Sequence, residues 1–112
     1  MSKIQTGRYG EDAAAEYFIS AGYEVLAKNY RYRRGEVDLI VRKENCIVFV
    51  EVKTRRGSVY GFPETFVNEK KKKLVLMVAE EYLLKVDWNG NVRYDIISIL
   101  RDKISHFEDA FY

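Results

Sequence analysis

The chain contains 112 residues, of which 47% are hydrophobic, 14% aromatic and 32% charged, so it is long enough to fold as one domain, 1–112, around its own core. One cysteine and one histidine, Cys46 and His106, exclude an intrachain disulfide, a structural zinc site with four nitrogen or sulfur ligands, and catalysis by several histidines. Because 19 basic residues nearly balance 17 acidic ones, the net charge of +2 says little until the charges are located along the chain.

The first predicted element is a helix over Ser2 to Ala21, where Ser2 to Gln5 form a possible capping box. At about 100° per residue, its apolar positions fall within about 60° of one direction. These positions are Ile4, Gly7, Ala14, Ala15 and Phe18. Glu11 lies in the middle of this apolar stripe. Gly22 predicts that the helix ends in a left-handed C-cap.

Beyond Gly22 the hydrophobic period changes from helical to two, which indicates β-strands. Three runs have this character: Tyr23–Tyr32, Glu36–Arg42 and Cys46–Arg55. The short breaks between them predict an antiparallel meander. The third run starts with apolar residues on both of its faces, which predicts a central strand covered on both sides.

A second helix is predicted from Asn68 to Val86, followed by a strand from Val92 to Leu100. The apolar stripe of this helix comprises Val75, Val78, Ala79, Tyr82 and Val86. A strand, a helix and a strand in series predict a right-handed crossover, so the last strand should lie parallel to one strand of the meander. The expected fold is a mixed α/β sheet with one helix on each face, or with both helices on one face.

Charged residues occupy positions on the predicted strands where apolar ones would be expected. On the third strand, Ile47, Phe49, Glu51 and Lys53 all point to one face, because the side-chain period of a strand is two. Asp38 interrupts an apolar run on the preceding strand. The carboxylates are therefore expected at neighbouring strand ends, with the lysine one pleat away, about 6–7 Å along the strand.

Burying an unpaired carboxylate costs several kcal/mol, so these groups must have partners in the folded protein. One interpretation is structural: Glu51 or Asp38 forms a buried ion pair with Lys53 and a nearby arginine. The other is a site in which Glu11, Asp38 and Glu51 hold a divalent cation, for which oxygen ligands favour Mg²⁺ or Mn²⁺. Lys53 would then orient a water molecule or neutralise charge on a phosphate, as metal-assisted phosphodiester hydrolysis requires.

Basic residues cluster in three places, and the first cluster contains Tyr30 and Tyr32. Bases mixed with aromatic residues are typical of nucleic-acid binding, whereas the simpler interpretation is a solvated hairpin edge. The candidate contacts are Lys28, Arg31, Arg33, Arg34, Arg55 and Arg56. Within the run from Lys70 to Lys73, Lys71 shares a direction with Val75 and should lean toward the sheet. For Arg55, a phosphate contact and a surface salt bridge are equally open.

Two residues with potential chemistry receive structural interpretations. His106 lies near the end of the chain, far in sequence from the carboxylates, and is expected to be structural. Cys46 begins an apolar strand and is expected to be a small buried hydrophobic residue rather than a nucleophile. The chain shows neither the apolar region of a signal peptide nor a run of about 18 apolar residues, so we expect a cytoplasmic protein that does not enter a membrane.

The order of a helix Glu, a strand Asp and a strand Glu-x-Lys resembles the PD-(D/E)XK nuclease superfamily, whose core is αβββαβ. Several longer motifs are similar to the YraN family of endonuclease-like proteins, which is related to archaeal Holliday-junction resolvases. The motifs are G-R-Y-G-E at 7–11, N-Y-R at 29–31, G-E-V-D-L-I at 35–40, V-F-V-E-V-K-T-R at 48–55, R-Y-D at 93–95 and A-F at 110–111. Val37 stands where the superfamily usually has a proline.

This resemblance implies a role for each matching residue. Asp38 and Glu51 would bind the metal, with the carbonyl of Val52 as a third ligand, Lys53 would be the catalytic lysine, and Glu11 would complete the site. The resemblance also implies a nuclease that acts on DNA, on branched or single-stranded intermediates of recombination and repair, and that is a possible homodimer. The rival expectation is a catalytically inactive nucleic-acid-binding or adaptor domain that keeps the fold.

Overall fold

The computed structural model describes residues 3–55 and 69–110, with side chains described at 9–54 and 69–110. In these ranges the elements are α1 (Lys3–Ser20), β1 (Glu24–Tyr32), β2 (Gly35–Lys43), β3 (Cys46–Arg55), α2 (Glu69–Lys85), β4 (Asn91–Leu100) and β5 (Lys103–Phe107). The predicted elements agree with these bounds to within one or two residues. The predicted capping-box residue Ser2, the side chains of Ile4 and Arg55, and the residues Arg56 and Asn68 lie outside the described parts.

The strands form one mixed sheet in the order β1-β2-β3-β4-β5. β1, β2 and β3 pair antiparallel, which confirms the predicted meander. β4 pairs with β3 in parallel, as the crossover through α2 predicts. The order of elements up to β4 is the expected αβββαβ core, and β5 adds an antiparallel strand at the β4 edge that the sequence did not predict.

Each helix covers its own face of the sheet, so the first of the two predicted arrangements is confirmed. Ala14, Ala15 and Phe18 of α1 pack on one face. They contact Leu39, Val41, Val48, Val50, Ile97 and Ile99. Val75, Val78 and Ala79 of α2 pack on the other face. They contact Val37, Ile40, Ile47 and Phe49, so β3 is covered on both sides as predicted.

The helix ends show one confirmed and one wrong prediction. Gly22 has φ of +92° and donates to the carbonyl of Ile19, while Tyr23 donates to the carbonyl of Phe18 at 2.9 Å. This is the expected left-handed C-cap. Val86 does not belong to the apolar stripe of α2, because the helix ends at Lys85 and Val86 is 44% exposed. Neither α1 nor α2 combines the length and the apolar character that crossing a membrane requires.

The ladder between β2 and β3 stops before both strands end. Its last pair is Leu39 with Val50, although β2 begins at Gly35 and β3 continues to Arg55. The alternation of β2 also breaks there, because Val37 packs with α2 whereas Leu39 packs with α1. The two strands therefore separate at one end of the sheet, at the position of Asp38.

Candidate active site

Asp38 occupies the point where β2 and β3 part. Its Oδ2 accepts a hydrogen bond from the backbone N–H of Val52 at 2.7 Å. A side-chain carboxylate thus takes the place of a backbone carbonyl as the partner of this N–H. In an extended strand the N–H and C=O of one residue point toward the same neighbouring strand. The carbonyl of Val52, the predicted third metal ligand, therefore lies on the β2 side of β3, as Asp38 does.

Three carboxylates from two elements meet beside this point. Glu11 of α1 and Glu36 and Asp38 of β2 each offer an oxygen, and these oxygens lie within 4.8 Å of one another. Glu11 reaches the group because Gly10 brings α1 close to β3: a Cβ built on Gly10 would lie 2.1 Å from Oγ1 of Thr54. Glu11 can lie half-buried in the apolar stripe of α1 because that part of the helix faces the end of the sheet where β2 and β3 separate.

Asn29, a residue of β1, forms a hydrogen bond with the carboxylate of Glu11. Its Nδ2 donates to Glu11 Oε2 at 2.7 Å. The pairing of Lys28 with Leu39 and of Tyr30 with Val37 places Asn29 across from Asp38, and Asn29 has a left-handed φ of 50°. Asparagine tolerates this conformation better than most residues. The side chain of Asn29 is therefore directed at the carboxylate group by an irregularity in β1.

Glu51 lies on the α2 face of β3, as the period of two predicts, and is 5% exposed. Its Oε1 accepts a hydrogen bond from Nζ of Lys71 at 2.5 Å, and Nζ of Lys53 lies 3.4 Å from the same oxygen. Lys71 comes from the first turn of α2 and leans toward the sheet, as its direction on the helix predicted. The carboxylate of Glu51 is thus shared by two ammonium groups.

The site contains like charges that shift one another's pKa. The pKa of Asp38 is raised to about 8, mainly by burial and next by repulsion from Glu51, although the hydrogen bond from the Val52 N–H opposes this shift. The pKa of Lys53 is lowered, mainly by burial and next by the side chain of the neighbouring Lys71. Burial is the largest influence on Lys71 and opposes its charged form, but the hydrogen bonds with Glu51 and Lys53 and the charges of Glu51 and Asp38 together outweigh it and raise the pKa of Lys71. Perturbed carboxyl and ammonium groups of this kind cluster at functional sites.

A cleft of about 340 Å³ opens over these groups between β2, β3 and the start of α2. It is lined by Arg34, Gly35, Glu36, Asp38, Glu51, Lys70, Lys71, Leu74 and Val75. Carboxylates thus form its floor, while Arg34, Lys70 and Lys71 add positive charge. This combination suits a divalent cation together with a phosphate group.

The carboxylate oxygens fit a hard cation. Ligand oxygens on one Mg²⁺ or Ca²⁺ lie 2.0–2.6 Å from the ion and so about 4–5 Å apart across it, close to the spacing among Glu11, Glu36 and Asp38. Asp38 belongs to this group, and Glu51, which pairs with Lys53 and Lys71, lines the same cleft as Asp38. A cation bound here would also relieve the repulsion that raises the pKa of Asp38.

The predicted nucleic-acid contacts divide into those at the cleft and those away from it. Arg34 and Lys71 line the cleft. Arg31 pairs with Glu36 of the carboxylate group at 2.5 Å, whereas Lys28 pairs with Asp12, which is not in that group, at 3.1 Å. Arg33 packs on the ring of Tyr32 and lines a separate groove along α2. Arg56 and the side chain of Arg55 lie outside the described residues.

Sequence reasoning assigned no role to Glu36 or Asn29. Glu36 stands two residues before Asp38 on β2, and its carboxylate joins those of Glu11 and Asp38. Both residues belong to motifs that carry the family resemblance, at 29–31 and 35–40. Membership of those motifs was the available signal.

His106 belongs to a second polar cluster, on the α1 face of the sheet. Its Nε2 lies 2.6 Å from Oδ2 of Asp95 and its Nδ1 lies 3.0 Å from the Tyr17 hydroxyl. Asp95 is fully buried, and Arg93 also bonds to it. Burial opposes ionisation of Asp95, but the bonds from His106 and Arg93 prevail and lower its pKa. His106 thus joins β5 to β4 through Asp95 and to α1 through Tyr17, which agrees with the structural role expected of it.

The sequence is similar to one protein family along most of its length. The Uncharacterised protein family UPF0102 matches residues 10–99. A UPF0102 protein of Persephonella marina is 43% identical over 106 residues, which cover 94% of this chain and 91% of that protein. A UPF0102 protein of Flavobacterium psychrophilum is 40% identical over 110 residues, which cover 95% of this chain and 92% of that protein. The chain therefore belongs to the UPF0102 family, which is the YraN family that its motifs resemble.

Proposed function

We propose that this protein is a Mg²⁺- or Mn²⁺-dependent endonuclease that hydrolyses phosphodiester bonds in DNA. The observation that carries the proposal is the carboxylate group of Glu11, Glu36 and Asp38 at the end of the sheet where β2 and β3 separate, beside a cleft lined by Asp38 and by Glu51, the ion-pair partner of Lys53. The elements that supply these residues follow the order helix, strand, strand that the PD-(D/E)XK resemblance requires.

Each side chain has a part that its position supports. Glu11, Glu36 and Asp38 would hold the cation, with Glu51 and the carbonyl of Val52 available from β3. The bound cation would supply an acidified water and neutralise charge on the phosphate. The N–H of Val52 and the amide of Asn29 orient Asp38 and Glu11. Lys53, whose pKa burial lowers, is placed to orient the attacking water or to give a proton to the leaving oxygen.

The substrate would be held by the positive rim of the cleft. Arg34, Lys70 and Lys71 line it, Arg31 of β1 pairs with Glu36, and Lys28 of β1 pairs with Asp12, the neighbour of Glu11 in the chain. The resemblance to resolvases suggests branched or single-stranded DNA as the substrate, and a homodimer would extend the small footprint of one domain on a junction.

A second candidate is a nucleic-acid-binding or adaptor domain without catalysis, and specific contacts favour it. Glu51 is paired with Lys53 and Lys71, Glu36 with Arg31, and Asp12 with Lys28. In this alternative the ion pairs are the permanent partners of the carboxylates, and a metal has no part. The two candidates therefore differ in whether a divalent cation binds.

Calorimetric titration with Mn²⁺ and thermal melting separate the two candidates. The nuclease predicts binding and a raised melting temperature in the wild type, and loss of both in Asp38→Asn and Glu51→Gln. If Mn²⁺ neither binds nor changes the melting temperature of the wild type, the metal-free alternative is correct.

Cleavage is tested on a panel of duplex, single-stranded, flapped and four-way DNA. Wild type is compared with Lys53→Ala and with Lys103→Ala, a matched loss of one lysine on β5 at the edge strand away from β2. We expect the Lys103 variant to cut like wild type and the Lys53 variant to lose about 10²-fold or more in rate. Equal cutting by all three proteins would identify a contaminating nuclease and reject the proposed activity.

A further inference from the structure

We propose that Lys71 is the resident counter-cation of Glu51, and that a divalent cation must displace its ammonium group to complete the site. This inference rests on the proposed nuclease function and adds an order of events to it. Metal binding comes first, and Lys71, once released from Glu51, then contacts the substrate phosphate.

The geometry at Glu51 distinguishes its two lysines. Both lie within ion-pair distance of the same oxygen, Oε1, but Lys71 is closer, at 2.5 Å against 3.4 Å for Lys53. Lys53 stands two residues from Glu51 on the same strand, and its side chain is 14% exposed, so β3 fixes both of them together. Lys71 belongs to α2, and its side chain is 35% exposed. Lys71 is therefore the partner that can move away.

A divalent ion competes directly with Lys71 for the carboxylate. Such an ion sits 2.0–2.6 Å from its oxygens and carries twice the charge of an ammonium group. An ammonium group held on the same oxygen would be repelled by the ion at a distance where like charges in a partly buried site interact strongly. The same ion would also bind the oxygens of Glu11, Glu36 and Asp38, and Asp38 lines the same cleft as Glu51. Displacement of Lys71 is thus the step that joins Glu51 to this group.

The cleft offers Lys71 a second position. Lys70 and Arg34 line the same cleft, so a phosphate that enters it would already face two positive side chains. Lys71 turned from Glu51 toward that phosphate would exchange one charge-assisted hydrogen bond for another. Metal and phosphate binding would then favour each other through a single side chain.

The test is calorimetric titration of the full chain with MnCl₂ in the absence of nucleic acid. In Lys71→Met the competitor is removed, so Mn²⁺ should bind about tenfold more tightly than to wild type, a change equal to about 1.4 kcal/mol. Lys73→Met, a matched loss of charge on the same helix but away from the cleft lining, should bind Mn²⁺ like wild type because its exposed ammonium is screened by solvent. Lys71→Arg keeps the charge and should restore the wild-type affinity.

A purely structural role for Lys71 gives a different result. Whether Lys71 is structural or competes with the metal, its loss takes a partner from the buried Glu51 and would lower the melting temperature of the metal-free protein. Only competition makes Mn²⁺ bind more tightly to the variant than to wild type. If Lys71→Met does not fold, Lys71→Gln, which keeps an amide donor toward Glu51, should also bind Mn²⁺ more tightly than wild type. Wild-type Mn²⁺ affinity in the folded variant would overturn the inference and leave the proposed function standing, whereas no Mn²⁺ binding by the wild type would overturn both.

Discussion

Asp38 lies at the end of the β2–β3 ladder and also belongs to the carboxylate group of the candidate site. The β2–β3 ladder ends beside it, the N–H of Val52 bonds to it, and the carboxylates of Glu11 and Glu36 lie next to it. Burial and the nearby Glu51 raise its pKa to about 8, so at neutral pH the metal-free protein holds it mostly protonated. A metal ligand must be deprotonated, so a cation that binds here as proposed would release a proton.

The affinity for Mn²⁺ should therefore rise with pH. Below about 8, each pH unit should tighten binding by up to about tenfold, and the increase should level off above that value. Calorimetry in buffers of different ionisation enthalpy measures the released proton. An affinity that stays constant between pH 6 and 8, with no proton release, would contradict a role for Asp38 as a ligand.

The same pKa predicts how stability of the metal-free protein depends on pH. The unfolded chain loses the Asp38 proton near 3.8 and the folded protein only near 8, so this group makes stability fall between these values as pH rises. Asp38→Asn, which cannot ionise and can still accept from Val52, should remove this part of the fall. Urea unfolding of both proteins across this pH range, with EDTA present, tests the difference.

Among the helices and strands, Gly35 and Gly22 both resist substitution, but for different structural reasons. A Cβ on Gly35 would lie 2.5 Å from a Val78 methyl and 2.8 Å from the Leu74 carbonyl, so α2 rests directly on the backbone of β2. Gly22 instead has a left-handed φ of +92° and ordinary space around it. The first glycine fixes the distance between β2 and the helix that carries Lys71, whereas the second only ends α1.

Gly35→Ala and Gly22→Ala should therefore separate fold stability from site geometry. We expect Gly35→Ala to cost about 1–3 kcal/mol by overpacking and also to change Mn²⁺ affinity, because α2 must shift. Gly22→Ala should cost about 1–2 kcal/mol through the left-handed backbone and leave Mn²⁺ affinity unchanged. Thermal melting and calorimetry measure the two effects. Unchanged affinity in Gly35→Ala would show that the site does not depend on the position of α2.

The Asp95 cluster ties the outer strand β5 and the end of the chain to β4. Besides Arg93 and His106, the backbone N–H of Asp109 bonds to Asp95. Asp95→Ala would leave Arg93 without its main partner, so we expect a loss of about 3–5 kcal/mol. Because the pKa of Asp95 is lowered, its stabilisation is present above the ordinary value of 3.8 and disappears as pH falls through the lower folded value.

Denaturant unfolding of Asp95→Ala at neutral pH tests this prediction, and Asp12→Ala serves as an exposed control. The control should change stability by less than about 1 kcal/mol, since its ion pair with Lys28 lies at the surface. Mn²⁺ affinity of folded Asp95→Ala should equal that of wild type, because the cluster packs on the α1 face with β5. A weakened metal site would show that this cluster is more than a structural tie.

The elements show what the sequence could and could not predict. The apolar residues on both faces at the start of Cys46–Arg55 predicted the central strand, and the period of two predicted the inward position of Glu51. β5 was missed because its turn, Arg101 and Asp102, has positive φ at both positions without the glycine or asparagine that marks such turns. Glu36 was missed because a single glutamate at the start of a strand carries no periodic signal. Periodicity finds regular elements, and the site lies where the sheet becomes irregular.

Across the whole molecule, acidic and basic residues are nearly equal in number, but they occupy different parts of the surface around the candidate site. Glu11, Glu36, Asp38 and Glu51 gather at one end of the sheet. Basic side chains surround this end from β1, the β1–β2 turn, β3 and α2. The net charge of +2 therefore hides a local pattern of carboxylates within a basic rim. Such a pattern directs a phosphate backbone to one surface even though the average field of the protein is weak.

Two neighbouring arginines in the β1–β2 turn test this sorting. Arg34 lines the cleft, whereas Arg33 packs on Tyr32 and lines the separate groove with Met77. If DNA lies over the cleft, Arg34→Ala should weaken binding and reduce the slope of log K against log salt concentration by about 0.9, the value for one phosphate contact. Arg33→Ala removes the same charge one residue away and should leave the slope unchanged. Fluorescence anisotropy on a four-way junction and a short duplex, in EDTA so that no cutting occurs, measures both slopes. Equal slopes for the two variants would mean that DNA does not lie over the cleft, because only position distinguishes these arginines.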